Sequence, residues 1–318
     1  MVRPSKHRNG KRNVMKPKKK FILFAASMSA GKSSVINALI GKELLPTGNE
    51  ATTAKVARII VTVNTKSSVK AYCHTGSVVE TSNILCPEQI MLWNRSDKIA
   101  SIDIAIQLSG RILPSMLAGY TLIDTPGANN SMDVRHKEQF INAVKAYPAS
   151  PILFVLNATQ LGTNDDAEII RTIREINPKQ TVIFALNKVD ELDEEKGETA
   201  KHYVALARKY LEGFGYNKAQ IIPLMAQPAL IAKKLLNNVE LRRTEQNILR
   251  AELERFRENP FHFRSAAVGV PQVLKKNVRI RLVQISKGKI PAMSKEELHA
   301  FVDYTGLSTV NALIMGAV

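Results

Sequence analysis

Three features of the 318-residue sequence predict an α/β fold of the P-loop NTPase type. Short apolar segments that read as buried strands alternate with amphipathic segments that read as helices, the pattern of a mainly parallel sheet wrapped by helices. The first apolar segment, residues 21–25, runs directly into Ala26-Ser27-Met28-Ser29-Ala30-Gly31-Lys32-Ser33-Ser34, which has the form of a phosphate-binding loop. Each later motif falls where a strand ends, the edge at which open α/β sheets take their ligands.

In such a loop successive backbone N–H groups, here those of Ser29 to Ser34, point at a β-phosphate. The Lys32 ammonium reaches the β and γ oxygens, and the Ser33 hydroxyl completes a Mg²⁺ shell. Residues 35–40 continue as the helix whose positive end faces the phosphates. Ala26 stands where the loop's first glycine is expected, and a Cβ there restricts the backbone. The second glycine, Gly31, is intact.

Gly41 to Gly48 end this helix, and a polar segment leads to a strand over 56–63, so Thr52 and Thr53 are expected on a mobile loop. A threonine at that place gives its hydroxyl to Mg²⁺ and its carbonyl to the attacking water when a γ-phosphate is present. Strands are expected over 68–73 and 101–108, the second with Ile102, Ile104 and Ile106 on one face, and a helix over 88–94. This long interval enlarges the domain. Tyr120-Thr121-Leu122-Ile123-Asp124-Thr125-Pro126-Gly127 then gives an apolar strand that ends in an acid and a Pro-Gly turn. Asp124 there serves the Mg²⁺ shell through water, and the Gly127 N–H senses the γ-phosphate. Ala128 occupies the place where many GTPases carry a water-orienting glutamine.

Residues 151–156 read as a third strand, followed by Asn164-Asp165-Asp166 capping a helix over 167–176. A fourth strand, 181–186, closes on Asn187-Lys188-Val189-Asp190. Those side chains match guanine: the Asp190 carboxylate accepts from N1 and N2, the Asn187 amide meets the N7 edge, and the Lys188 stem lies along the base. Helices are expected over 133–146 and 195–214, and a strand over 220–224. The strand precedes Met225-Ala226-Gln227, where the Ala226 N–H is a base contact. Residues 228–258 read as helical, Val278, Ile280 and Leu282 alternate like a strand, and Ser294 caps a last helix through Leu298, Phe301 and Val302.

The composition is that of a globular chain, 45% hydrophobic with two cysteines, Cys73 and Cys86, too few for a disulfide framework. Two such cysteines make a reducing, cytoplasmic setting the expectation, and because no window of 18 uninterrupted apolar residues occurs, any membrane attachment is expected to be peripheral. His74 beside Cys73 lacks the companions of a zinc site. The net charge is +17, and residues 1–20 hold nine cations (Arg3, Lys6, Arg8, Lys11, Arg12, Lys16, Lys18, Lys19, Lys20) and no acid. That stretch reads as a disordered basic arm. It suits an anionic membrane surface or, as the second choice, nucleic acid.

Taken together, Ser29-Ala30-Gly31-Lys32-Ser33-Ser34, Leu45-Pro46-Thr47-Gly48 with Thr52-Thr53-Ala54, Asp124-Thr125-Pro126-Gly127-Ala128-Asn129-Asn130-Ser131, Leu156-Asn157-Ala158-Thr159-Gln160 and Asn187-Lys188-Val189-Asp190 resemble the dynamin superfamily, specifically its bacterial dynamin-like members. The resemblance implies an enlarged dynamin-type GTPase domain over residues 21–307 and hydrolysis of GTP to GDP and phosphate with Mg²⁺. It makes Thr53 the switch threonine and gives Ser29 a monovalent cation, K⁺ or Na⁺, in place of an arginine finger. It also implies a nucleotide-dependent homodimer.

Two departures accompany the resemblance. Met28 stands where eukaryotic dynamins have a catalytic glutamine, and the family's helical stalk is absent. Residues 308–318 read as the start of a truncated helical segment, and three explanations stand open: a truncated product, one half of a split system, or a domain whose separate partner bears the stalk. Two further readings stand beside this one: a nucleic-acid or ribosome-associated GTPase, and a nucleotide-binding scaffold with little turnover.

Overall fold

A computed structural model describes residues 20–47, 55–63, 65–107, 117–126, 134–287 and 292–316. Thr53, Gly127 and residues 1–19 of the basic arm lie outside the described residues, while Lys20, expected in the arm, is the first residue of a strand. Nine described strands form one sheet: β1 (Lys20–Ala26), β2 (Val56–Thr62), β3 (Ser68–Tyr72), β4 (Val78–Ser82), β5 (Ser101–Gln107), β6 (Tyr120–Asp124), β7 (Ile152–Asn157), β8 (Val182–Asn187) and β9 (Gln220–Leu224). Their order is β4-β3-β5-β2-β6-β1-β7-β8-β9. The run β6-β1-β7-β8-β9 is parallel throughout, while β2 meets β6 antiparallel and starts a flank in which β3 and β4 are antiparallel too.

Burial follows this division. Every residue of β6, β7 and β8 is buried, as expected of strands covered on both faces by helices. In β5 burial alternates residue by residue, because Ile102, Ile104 and Ile106 face a core on one side only. Four of the five residues of β4 are exposed, with Val78 and Val79 open on the sheet edge. Phe24, Phe154 and Phe184 are fully buried in the parallel half, each worth roughly 1.5–3 kcal/mol against exposure.

The helices are α1 (Lys32–Ile40), α2 (Pro87–Arg95), α3 (Val134–Ala146), α4 (Asn164–Ile176), α5 (Ala200–Glu212), α6 (Ala226–Leu236), α7 (Arg243–Glu258), α8 (His262–Ala266), α9 (Gln272–Ser286), α10 (Lys295–Tyr304) and α11 (Leu307–Ile314). α1 lies against α6, and α6 in turn against α7 and α10, while α4 packs on β1 and α5 on β9. α11 begins at Leu307, so one helix crosses the expected boundary at 307. Its apolar residues Leu307, Val310, Leu313 and Ile314 are buried, and it touches α1, β8 and β9.

Several local expectations are corrected. Thr163, rather than Asn164-Asp165-Asp166, caps α4. Its hydroxyl accepts from the Asp166 N–H at 3.2 Å and the Asp166 carboxylate accepts from the Thr163 N–H at 3.3 Å, a reciprocal capping box that sets the helix start earlier. Residues 194–196 form a 3-10 turn, and Thr199 caps α5, so the helix expected from 195 starts at Ala200. Val278, Ile280 and Leu282 lie in α9 and not in a strand. Ile280 is exposed and Leu282 fully buried, whereas two residues apart on a strand would share one face.

Candidate nucleotide-binding site

β1 delivers the chain to the phosphate loop from the middle of the sheet, between β6 and β7. Ala26 is the last residue of that strand and buried, and the left-handed positions of the loop fall elsewhere, at Ser29 (φ 62°) and Gly31 (φ 89°). An alanine at 26 therefore meets no backbone demand for glycine. Gly31 does meet one, and a Cβ built on it would sit 2.4 Å from the Asn187 Nδ2. α1 starts directly after it with no side-chain cap and no acid in its first turn, which leaves its leading N–H groups to an anion.

Lys32 opens α1 and forms an ion pair with Asp124 at the end of β6, the lysine side chain 7% and the carboxylate 1% exposed. Asp124 is held there by two strands, paired with Phe24 of β1 and Ala57 of β2. The next residue, Thr125, donates its hydroxyl to the Phe24 carbonyl at 2.6 Å. Ser33 is buried beside Lys32, and Ser34 is half-buried. A hydroxyl and a carboxylate are hard oxygen donors of the kind that hold Mg²⁺ together with phosphate oxygens rather than in an all-protein cage. Among the described residues no group of three or more His, Cys, Asp or Glu could hold a metal ion.

The far end of α1 is also anchored. Gly41 ends it in a left-handed conformation, and the Asn37 side chain accepts from the N–H groups of Leu44 (3.0 Å) and Leu45 (2.8 Å). The buried Lys233 of α6 donates to the carbonyls of Ala38 and Leu39, both at 2.7 Å. Burial pulls the Lys233 ammonium down to about 7, although the carbonyl end of a helix favours a cation. From α4, the wholly buried Asp166 meets the Ser27 hydroxyl of the loop. Burial pushes its carboxyl above the usual range, and the hydroxyls of Ser27 and Thr163 oppose that shift.

The base end is built at β8. Asn187 closes that strand in register with Asn157 of β7 and Leu224 of β9. Its Nδ2 donates to the Ala30 carbonyl at 3.0 Å and its Oδ1 accepts from the Ala226 N–H at 3.1 Å. One amide thus joins the phosphate loop, the end of β8 and the start of α6. The Ala226 N–H expected at the base is instead given to Asn187, and one hydrogen of the Asn187 amide is spent on the loop. Lys188 turns the chain with φ 66° and pairs with Glu191 at 3.5 Å. Asp190 lies in the 3-10 turn Val189–Glu191 and is half-buried. Burial pushes its carboxyl up to about 7. Glu252 and Glu191 add to the rise, and a backbone N–H and Arg255 oppose it.

The structure therefore gathers Ser29, Ala30, Gly31, Lys32, Ser33, Ser34, Asp124, Asn187, Lys188, Asp190 and Ala226 at the carboxyl ends of β1, β6, β8 and β9. Sequence reasoning missed the roles of Lys233 and Asp166. Lys233 had one signal: it sits in the apolar run Ala229-Leu230-Ile231-Ala232, four residues after Ala229 and on the same helical face.

A family model described as the Dynamin family matches residues 22–189, from β1 to Val189, one residue short of Asp190. The chain belongs to the dynamin family. It is 27% identical over 303 residues to dynamin-related protein 3A of Arabidopsis thaliana, covering 88% of this chain and 35% of that protein. It is 25% identical over 176 residues to dynamin-like protein A of Bacillus subtilis, covering 55% of this chain and 14% of that one. It thus spans about a third or less of the length of these dynamin relatives. Among solved structures, one described as an oligomerised bacterial dynamin pair for long-range sensing and tethering of membranes superposes with a TM-score of 0.51. That match has 17% identity and covers 85% of this chain and 43% of the other. A likeness at that identity establishes the dynamin-type α/β fold. Dynamin-family proteins are GTPases. Among the described residues no helix is long and apolar enough to cross a membrane.

Proposed function

We propose that the chain binds GTP with Mg²⁺ and hydrolyses it to GDP and phosphate. The observation that carries this reading is the Asn187 bridge, which puts the base motif and the phosphate loop on one sheet edge beside the Lys32–Asp124 pair. Lys32 exchanges Asp124 for the β and γ oxygens, against the N–H groups of the 29–34 loop. The Ser33 hydroxyl would hold Mg²⁺ directly and the Asp124 carboxylate through water, and the ion would supply positive charge to the phosphates. Asp190 accepts from guanine N1 and N2 while Lys188 lies along the ring. Thr53 and Gly127 complete the γ-phosphate side. Single-turnover incubation with labelled GTP and ATP tests this: GTP should be consumed, ATP spared, and Lys32→Ala inactive. GTP that is bound but never cleaved would reduce the protein to a binding module.

The finer parts of the proposal rest on the family and on the lone domain's shortage of catalytic groups, with Ala128 in the glutamine position. Two copies meet across their nucleotides, order the Thr53 loop and hold K⁺ or Na⁺ near Ser29, next to the 46% exposed Met28. The oligomer described for the bacterial dynamin pair supports self-association alone. The basic arm attaches the protein peripherally to an anionic membrane, and a stalk-bearing partner is a further proposal. Specific activity should rise with protein concentration, need a monovalent cation, and fall in Ser29→Ala. Flat activity per molecule over a hundredfold dilution contradicts the dimer. Vesicle co-sedimentation that survives loss of residues 1–20 contradicts the arm.

A further inference from the structure

The turn that carries Asp190 is gripped from outside the sheet by one side chain of α7. Arg255 donates from Nη1 to the Asp190 carbonyl at 3.4 Å, and its Nη2 lies 3.4 Å from Glu194 Oε1, in the 3-10 turn just after the base motif. The guanidinium is itself held. Nη1 also donates to Glu252 Oε1 at 2.9 Å, one helical turn back on α7, and the plane lies 5.7 Å from the Phe263 ring centre. His262 of α8 meets the same Glu194 Oε1 at 2.6 Å. Arg255 is thus the one cation touching both ends of the 190–194 segment among the described contacts, and a planar fork suits two acceptors at once.

We propose that Arg255 is a positioning residue for base recognition, holding the 190–194 segment from α7 so that the Asp190 carboxylate is presented to the ring N–H groups of a guanine. The inference rests on the guanine reading above and adds a residue to it. The charged and titratable groups around Asp190 are Lys188 and Glu191 on its own turn, Glu252 and Arg255 on α7, Glu194 and His262 next to Arg255, and Tyr304 of α10 behind them. Of these, Arg255 favours the ionised carboxylate, while Glu252 and Glu191 disfavour it. Burial pushes the Glu252 carboxyl itself above its ordinary range, and Arg255 opposes that rise.

Arg255→Gln, Arg255→Lys and Glu252→Gln are titrated with GDP, IDP and ADP across pH 5.5–8.5. IDP lacks the 2-amino group, so the GDP-to-IDP ratio reads the Asp190 contact and not general integrity. Arg255→Gln should lower GDP affinity by roughly tenfold, the weight of one charged hydrogen bond. It should also shrink the GDP-to-IDP ratio and move the midpoint of the pH dependence upward. Glu252→Gln should move that midpoint downward, and Arg255→Lys should fall between wild type and Arg255→Gln. A loss shared equally by GDP and IDP, or midpoints that stay fixed in all three variants, would overturn the proposal. Should Arg255→Gln fail to fold, the opposite shifts in Glu252→Gln and Arg255→Lys decide it. Wild-type protein that binds ADP as well as GDP would instead defeat the guanine reading itself.

Discussion

The two ends of the candidate site each depend on a carboxylate and treat it in opposite ways. At the phosphate end Asp124 is buried against Lys32, so its charge is matched before any ligand arrives. At the base end Asp190 sits among Glu191 and Glu252 with its carboxyl pushed up to about 7, and Arg255, which opposes that rise, is bonded to its backbone carbonyl. The first end is charged in advance and exchanges partners on binding. The second is only partly ionised near neutral pH, so base recognition is the half that should respond to pH.

The comparison breaks most visibly in Lys32→Ala. Removing Lys32 takes away the cation paired with the buried Asp124, a loss of roughly 3–5 kcal/mol in the stability of the nucleotide-free protein. Adding Asp124→Asn should return most of it without restoring nucleotide affinity. Urea denaturation of the three proteins checks this, and an unchanged midpoint in the single variant contradicts it. Gly31→Ala comes next, since it couples the two ends. The left-handed backbone alone costs about 1–2 kcal/mol, and the new Cβ falls on the Asn187 amide. A double-mutant cycle with Asn187→Ala should show a combined loss smaller than the sum of the single losses, because that variant removes the clash.

Asp190 sharpens the contrast through pH. Only the ionised form accepts from guanine, so GDP affinity should fall by up to about tenfold for each unit below pH 7, while pyrophosphate affinity should not follow. The smallest effect lies behind the phosphate helix. Lys233 is held down to about 7, below its ordinary 10.5, so the folded state carries fewer protons than the unfolded chain between those values. Stability should therefore rise with pH in that window, by less than about 1.4 kcal/mol per unit, and Lys233→Met should remove the slope.

Much of this was legible in the sequence, because chemistry tied to short spacing survives translation into structure. The loop at 26–34, the acid ending β6 and the motif ending β8 each combine a strand-like run with polar residues at fixed offsets. What escaped depends on contacts between distant segments. The Asn187 amide reaches Ala30, 157 residues away, and Lys233 reaches Ala38, 195 residues away. The Ala30 contact leaves no local mark, and Lys233 leaves only its place in an apolar run. β4 was missed because its valines are exposed on an edge and show no alternation. α9 was misread because Val278-Arg279-Ile280-Arg281-Leu282 alternates apolar and basic residues like a strand while its buried face is set by packing on α10. Ala26 misled in the other direction, since the backbone needs its glycine at 31 and not at 26.

The central claim is that Asp190 selects guanine at a site shared with the phosphate loop. Calorimetric titration of wild-type protein and Asp190→Asn with GDP and xanthosine diphosphate at about pH 8 tests it most directly. Exchanging the carboxylate for an amide reverses which ring edge is complementary. The account predicts that wild type prefers GDP and Asp190→Asn prefers the xanthine nucleotide. Equal affinities in wild type, or a preference unchanged by the substitution, would contradict it.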